Sequence, residues 1–176
     1  MSNVYFISDL HLGHEKAIQF ADNFRMKLLD IETPAEHDEK IIRNIMSRLV
    51  KRDKLFLLGD LGDGKMVYDM LKELPTLMTN IVPGNHDHDR DLALYASLPR
   101  VQIFPPATYK GHWITHHPIH PLELRNRKNV HGHVHTNNIP DENYINVSLE
   151  MTGGVPINFQ TIKAGEYTTH DRKLIL

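Results

Sequence analysis

The chain has 176 residues and carries 20 Lys and Arg against 22 Asp and Glu, a formal net charge of −2. That length suits one domain with a core of its own, and that charge speaks against general duplex-DNA binding, which draws on a basic surface. No Cys is present, which excludes disulfide frameworks, thiolate zinc sites, iron–sulfur clusters and a cysteine nucleophile, and fits a reducing, cytoplasmic compartment.

The first expected element is the apolar, β-rich run Val4-Tyr5-Phe6-Ile7, which stops at Ser8-Asp9 before any signal-peptide core could form. Residues 15–24 read as a helix. Thr33-Pro34 reads as an N-cap with Pro at the first helical position, and Ile41, Ile42, Ile45, Met46 and Leu49 keep helical spacing to about residue 50. Leu55-Phe56-Leu57-Leu58 is a second buried strand, broken by Gly59-Asp60. A helix over 65–74 ends before Pro75, and a third strand over 77–82 is broken by Pro83-Gly84. A helix over 89–98 leads to strands at 101–104, at 113–115 running into His116, and at 144–147.

This alternation of short apolar strands with helices predicts an α/β domain with a largely parallel sheet. The whole chain, 1–176, is read as one domain with a candidate helical insertion around 14–50. Within it, the charged and weakly patterned stretch 23–36 stands out. No apolar run approaches the ~20 residues of a membrane span, so no membrane association is expected.

Histidine is the unusual residue. There are 13, and seven of them fall between His112 and His135. An excess of His without Cys points to metals held by nitrogen and oxygen donors. Polar chemistry also recurs just past successive strands: Asp9-Leu10-His11, Gly59-Asp60, Gly84-Asn85-His86-Asp87, His116-His117-Pro118 and Gly132-His133-Val134-His135. In open α/β sheets, sites gather at the carboxyl ends of strands, so pieces remote in sequence can meet at one edge. Each piece alone reads as turn chemistry. The five in this order do not.

These motifs, spanning residues 4–135, resemble those of the metallophosphoesterases, also called calcineurin-like phosphoesterases. The resemblance implies two packed mixed β-sheets flanked by helices, an αββα sandwich. It implies two divalent metal ions, for which Mn²⁺ is the expected choice, with Fe, Co, Ni or Zn as alternatives. Asp9, His11, Asp60 and His135 would hold one ion. Asp60, Asn85, His116 and His133 would hold the other, with Asp60 bridging. His86 would assist the leaving group rather than bind metal, and Asp87 would orient His86. The implied activity is hydrolysis of a phosphodiester by a metal-bridging hydroxide, on a small phosphate ester such as a nucleotide. A monoester phosphatase, a nucleotide pyrophosphatase and a non-catalytic metal-binding scaffold are the alternatives.

Departures from the family pattern narrow this. The segment Gly59-Asp60-Leu61-Gly62-Asp63-Gly64 lacks the Arg of the Ser/Thr phosphoprotein phosphatases, and Asp63 stands where purple acid phosphatases carry a Tyr. Small bacterial and phage phosphoesterases remain. His117 competes with His116 as ligand, and the H-x-P pattern favours His116. His131 and His120 are not expected to bind metal. His14, Arg25 and His117 are candidate substrate contacts. For His14 the competing reading is a helix-start residue, and for Arg25 and His37 a solvated charged face. The Arg125-Asn126-Arg127-Lys128 cluster would either attract anions or form a plain solvated loop.

Overall fold

In the computed structural model, which describes residues 2–18 and 20–170, the first apolar run forms β1 (Val4–Ile7). Three helices follow: α1 (Glu15–Ile18), α2 (Phe20–Leu29) and α3 (Pro34–Arg48). Gln19, inside the helix expected over 15–24, lies outside the described residues. Next come β2 (Lys54–Leu57), α4 (Gly64–Glu73), β3 (Met78–Ile81), α5 (Asp89–Ala96) and β4 (Val101–Ile103). The remaining elements are β5 (Ala107–Tyr109), β6 (His112–Ile114), β7 (Lys128–His131), β8 (Tyr144–Asn146), α6 (Leu149–Thr152), β9 (Ile157–Asn158) and α7 (Phe159–Lys163).

The strands form two mixed sheets, of order β4-β3-β2-β1-β9 and β5-β6-β7-β8. All pairings are parallel except β9 on β1 and β5 on β6. Side chains along a strand point to alternate faces, and β1 and β2 bury both. Tyr5, Ile7, Leu55 and Leu57 pack under the helices with Ile41, Ile45 and Leu71. Val4, Phe6, Phe56 and Leu58 face the second sheet, meeting Ile114, Val130, Ile145 and Val147. That double burial is why both strands read as unbroken apolar runs. The result is a layer of helices, two packed sheets, and a thinner outer cover. In that cover the loop after β6 lies against the second sheet, where Trp113 Nε1–H donates to Leu124 O at 3.3 Å and Tyr144 OH to Ile119 O at 2.7 Å.

Helix α3 begins as expected. Thr33 caps it, Pro34 opens it, and Glu36 closes a capping box by accepting from Thr33 N. One expectation needs correction. The stretch 23–36 is not a solvated charged face: α2 covers its first half, and it buries Arg25 at 2% exposure, against His37 at 0% on α3. Of the two readings of the 125–128 basic cluster, the solvated loop fits, since residues 125–127 are exposed. Lys128 pairs with His112 at the start of their strands, the end opposite His116 and His133. No described helix is long and apolar enough to cross a membrane.

Candidate metal centre

The carboxyl ends of the parallel strands meet at one edge. β1 delivers Asp9 and His11, β2 Asp60, β3 Asn85, His86 and Asp87, β6 His116 and His117, and β7 His133 and His135. The loops are stitched by backbone bonds. Asp9 N donates to Gly59 O and His11 N to Asp60 O, both at 3.0 Å, and Gly132 N donates to His116 O at 2.9 Å. Close approach explains the motif glycines at two points. A Cβ on Gly132 would lie 2.0 Å from Ser8 Oγ and 2.5 Å from Asp9 Oδ2, and one on Gly84 would lie 2.2 Å from Asp60 Oδ1.

Backbone conformation singles out the same residues. Among the described residues, nine other than Gly have positive φ, and Asp9, His11, Asp60, His133 and His135 are five of them. Non-glycine residues rarely adopt this region, and such outliers concentrate at functional sites.

Among the described residues, three groups of side chains bring donor atoms within 4.8 Å of one another: Asp9, His11 and His135; Asp9, Asp60 and His116; and His116, His117 and His133. Asp60 Oδ2 lies 3.8 Å from His11 Nε2 and 3.5 Å from His116 Nε2. His116 Nε2 is 3.0 Å from Asn85 Oδ1, while its Nδ1 is 2.6 Å from Leu58 O. The Nδ1–H therefore donates to that carbonyl and Nε2 keeps its lone pair for the centre. His133 N donates to both oxygens of Asp9, at 3.2 and 3.0 Å.

Donor chemistry and burial suit divalent cations. Burial, then the Arg25 charge, pushes the His11 imidazole down to about 3, so it is neutral at pH 7. Its Nε2 is buried with no hydrogen-bond partner among the described residues, as suits an atom free to ligate a metal. Burial pushes the Asp9 carboxyl above its ordinary value against the pull of His135 and His116, so ionising it calls for positive charge alongside. Burial also opposes the charge on Asp60. The hydrogen bond and charge of His116 and the His86 N–H nonetheless hold it well below the usual carboxylate range.

The open side is lined by other residues. His14, Asn85, His86 and His117 are exposed. The His86 ring lies 5.6 Å from that of His11 and 6.5 Å from that of His14. The His117 and His133 rings lie 4.0 Å apart, tilted by 46°, and of the adjacent pair it is His116 that is buried against Asp60 and Asn85. His131 is buried on the other face of β7, apart from these groups.

Two residues have tasks other than those expected. Both Asp87 oxygens are taken by backbone amides, of Leu61 at 2.9 Å and of Asp60 and Gly84 at 2.9 and 2.8 Å. The carboxylate thus ties the loops after β2 and β3 together instead of orienting the His86 ring. Arg25 does not face the open side either. Its guanidinium sits behind the centre, donating to Asp9 O, Leu10 O and Glu150 Oε1. Glu150 itself escaped the sequence reading. It lies four residues past the end of β8, in α6, which continues the rule of chemistry beyond strand ends, and it accepts from His135 Nδ1 at 3.0 Å.

The chain belongs to the calcineurin-like phosphoesterase family, whose description matches residues 2–162. It is 25% identical over 175 residues to an uncharacterised protein of Methanocaldococcus jannaschii, covering 92% of this chain and 90% of that one. It is 30% identical over 106 residues to the gene 66 protein of Mycobacterium phage D29, covering 57% of this chain and 47% of the phage protein. Its fold is similar to that of a protein of unknown function from Aquifex aeolicus, with a TM-score of 0.65, 24% identity, and coverage of 93% of this chain and 99% of the other.

Proposed function

We propose that this chain is a hydrolase of phosphate esters, with small phosphodiesters as its preferred substrates and a cytoplasmic site of action. The observation that carries the reading is the convergence of Asp9, His11, Asp60, Asn85, His116, His133 and His135 from five loops onto one strand edge. Asp9, His11, Asp60 and His135 would hold one divalent ion, and Asp60, Asn85, His116 and His133 a second. When bound, such a pair would neutralise charge on the phosphoryl group and lower the pKa of an adjacent water to supply the nucleophile.

The chain's own groups divide the remaining work. Asp60 and Asp9 are the acidic donors of the ligand set, so two divalent ions would leave it net positive and attractive to an anion. Neutral imidazoles and the Asn85 amide hold metal without cancelling that charge. His86 stands exposed at the rim, its backbone N–H fixed to Asp60 Oδ1 at 2.9 Å. From there its ring can place a proton on the leaving oxygen. Asp87 keeps that loop in register through the backbone. His14 and His117 flank the opening and would contact the ester.

The rim favours a diester. It offers imidazoles and an amide, whereas the guanidinium that commonly grips a dianionic phosphate is turned inward at Arg25. A singly charged diester needs less of that grip. The test compares bis(p-nitrophenyl) phosphate with p-nitrophenyl phosphate, using chelated protein with and without added Mn²⁺. Mn²⁺-dependent turnover favouring the diester is expected. Preference for the monoester would move the reading to a phosphatase. Two bound ions without turnover of either ester or of a nucleotide panel would point to a scaffold.

A further inference from the structure

We propose that Arg25 and Glu150 are a buried positioning pair that sets the cation affinity of the Asp9–His11–His135 side of the centre, and that helices α2 and α3 govern that side alone. This rests on reading the cluster as a two-ion centre.

Arg25 is 2% exposed and Glu150 6%. Arg25 Nε–H donates to Glu150 Oε1 at 2.6 Å, Nη2–H to Asp9 O at 2.6 Å, and Nη1–H to Leu10 O at 3.0 Å. One rigid fork thus holds the backbone between the ligands Asp9 and His11, both of which have positive φ. The same Glu150 oxygen accepts His135 Nδ1–H at 3.0 Å, which leaves His135 Nε2 as the lone-pair nitrogen, 3.9 Å from Asp9 Oδ1. A carboxylate behind a ligating imidazole fixes its tautomer, direction and basicity. Asp9, His11 and His135, three of the four ligands of this side, are therefore held by one ion pair.

The pair continues into the helices. Arg25 Nη1 lies 3.5 Å from His37 Nε2, and His37 Nδ1–H donates to Asp38 Oδ1 at 2.8 Å. Asp38 Oδ2 accepts Gly13 N–H at 2.9 Å, at the end of the same loop. The opposite side of the centre is set by the sheets: the Leu58 carbonyl aims His116, and the Gly84 loop abuts Asp60. Stability alone gives little reason for such a pair, because a buried ion pair is often no better than an apolar replacement. What it supplies is direction.

The test uses the full chain, stripped by chelation and titrated with Mn²⁺ alone by calorimetry, beside Arg25→Lys and Glu150→Gln. Two binding steps are expected for the unmodified chain. In each variant one step should weaken by about 10–100-fold while the other is unchanged. The EPR spectrum at two equivalents should pass from a coupled pair toward isolated Mn²⁺. Folded variants whose two steps are unchanged, or fall in parallel, would overturn the proposal and leave the phosphoesterase reading standing. If Glu150→Gln does not fold, Arg25→Lys decides. If neither folds by circular dichroism, the pair is a folding element and the proposal fails. An unmodified chain that takes up fewer than two ions would instead remove the two-ion reading itself.

Discussion

Asp60 is the residue on which most contacts of the centre converge, since it approaches His11, His116 and the His86 backbone at once. Asp60→Asn keeps the shape and removes the charge. It is expected to cost Mn²⁺ stoichiometry and turnover together, and full activity with two ions bound would show that Asp60 does not bridge. His86→Ala is expected to leave Mn²⁺ content intact and to slow hydrolysis by roughly 10²–10⁴-fold, the range for a positioned acid. The loss should grow as the leaving group becomes a weaker acid. An equal rate with an alkyl leaving group would end its role as proton donor. Asp87 illustrates the limit of reading a residue's role from resemblance. The family resemblance implied a carboxylate that orients the His86 ring, yet its oxygens are spent on the amides of Asp60 and Leu61, 27 and 26 positions away, and on Gly84.

Among the elements, the loops that enter the centre are as constrained as the ligands. Gly132→Ala is expected to displace the Asp9 carboxylate, because the new methyl would fall 2.5 Å from its Oδ2. Mn²⁺ binding should then fall well below that of the unmodified chain, and binding at unmodified affinity would show that the loop yields. Thr33→Ala should lower stability by about 1 kcal/mol through loss of the α3 cap, read as a shifted urea midpoint without loss of Mn²⁺ stoichiometry. Legibility differed between elements for physical reasons. β1 and β2 stood out because both faces are apolar and buried. β5 and β9 did not, being edge strands of three and two residues with partly exposed side chains. The segment ahead of α3 looked irregular because a charged residue, Arg25, sits on its buried side, and hydrophobic periodicity cannot register a buried guanidinium. The metal-site motifs were legible because five short patterns fell at strand ends. Glu150 was not, since its partner Arg25 lies 125 positions away.

For the whole molecule, the buried histidines make the metal-free chain sensitive to acid. His11 and His131, pushed by burial to about 3 and about 4, lie below the ordinary 6.5. Unfolding lets both take up protons that the folded chain refuses, so stability falls as pH drops below 6.5. His116 and His135 are shifted upward, mainly by Asp60 and Glu150 acting against burial, so their contributions are complete below 6.5 and do not change there. His11 and His131 can each contribute on the order of 1 kcal/mol per pH unit in that window. Asp9, raised by burial, opposes this as a single group, whereas His117 and His133 are lowered by burial and add to it. The urea midpoint in chelator should therefore decline from pH 6.5 to pH 5, and a flat or rising midpoint over that range would contradict this. The positive φ angles at Asp9, His11, Asp60, His133 and His135 extend the point. Left-handed backbone costs roughly 1–2 kcal/mol at a residue with a side chain, and several such residues rival the net stability of a typical domain. A chain starved of metal would sit closer to unfolding and reach proteases more often. Metal supply would then decide how many copies a cell retains as well as how fast each one works.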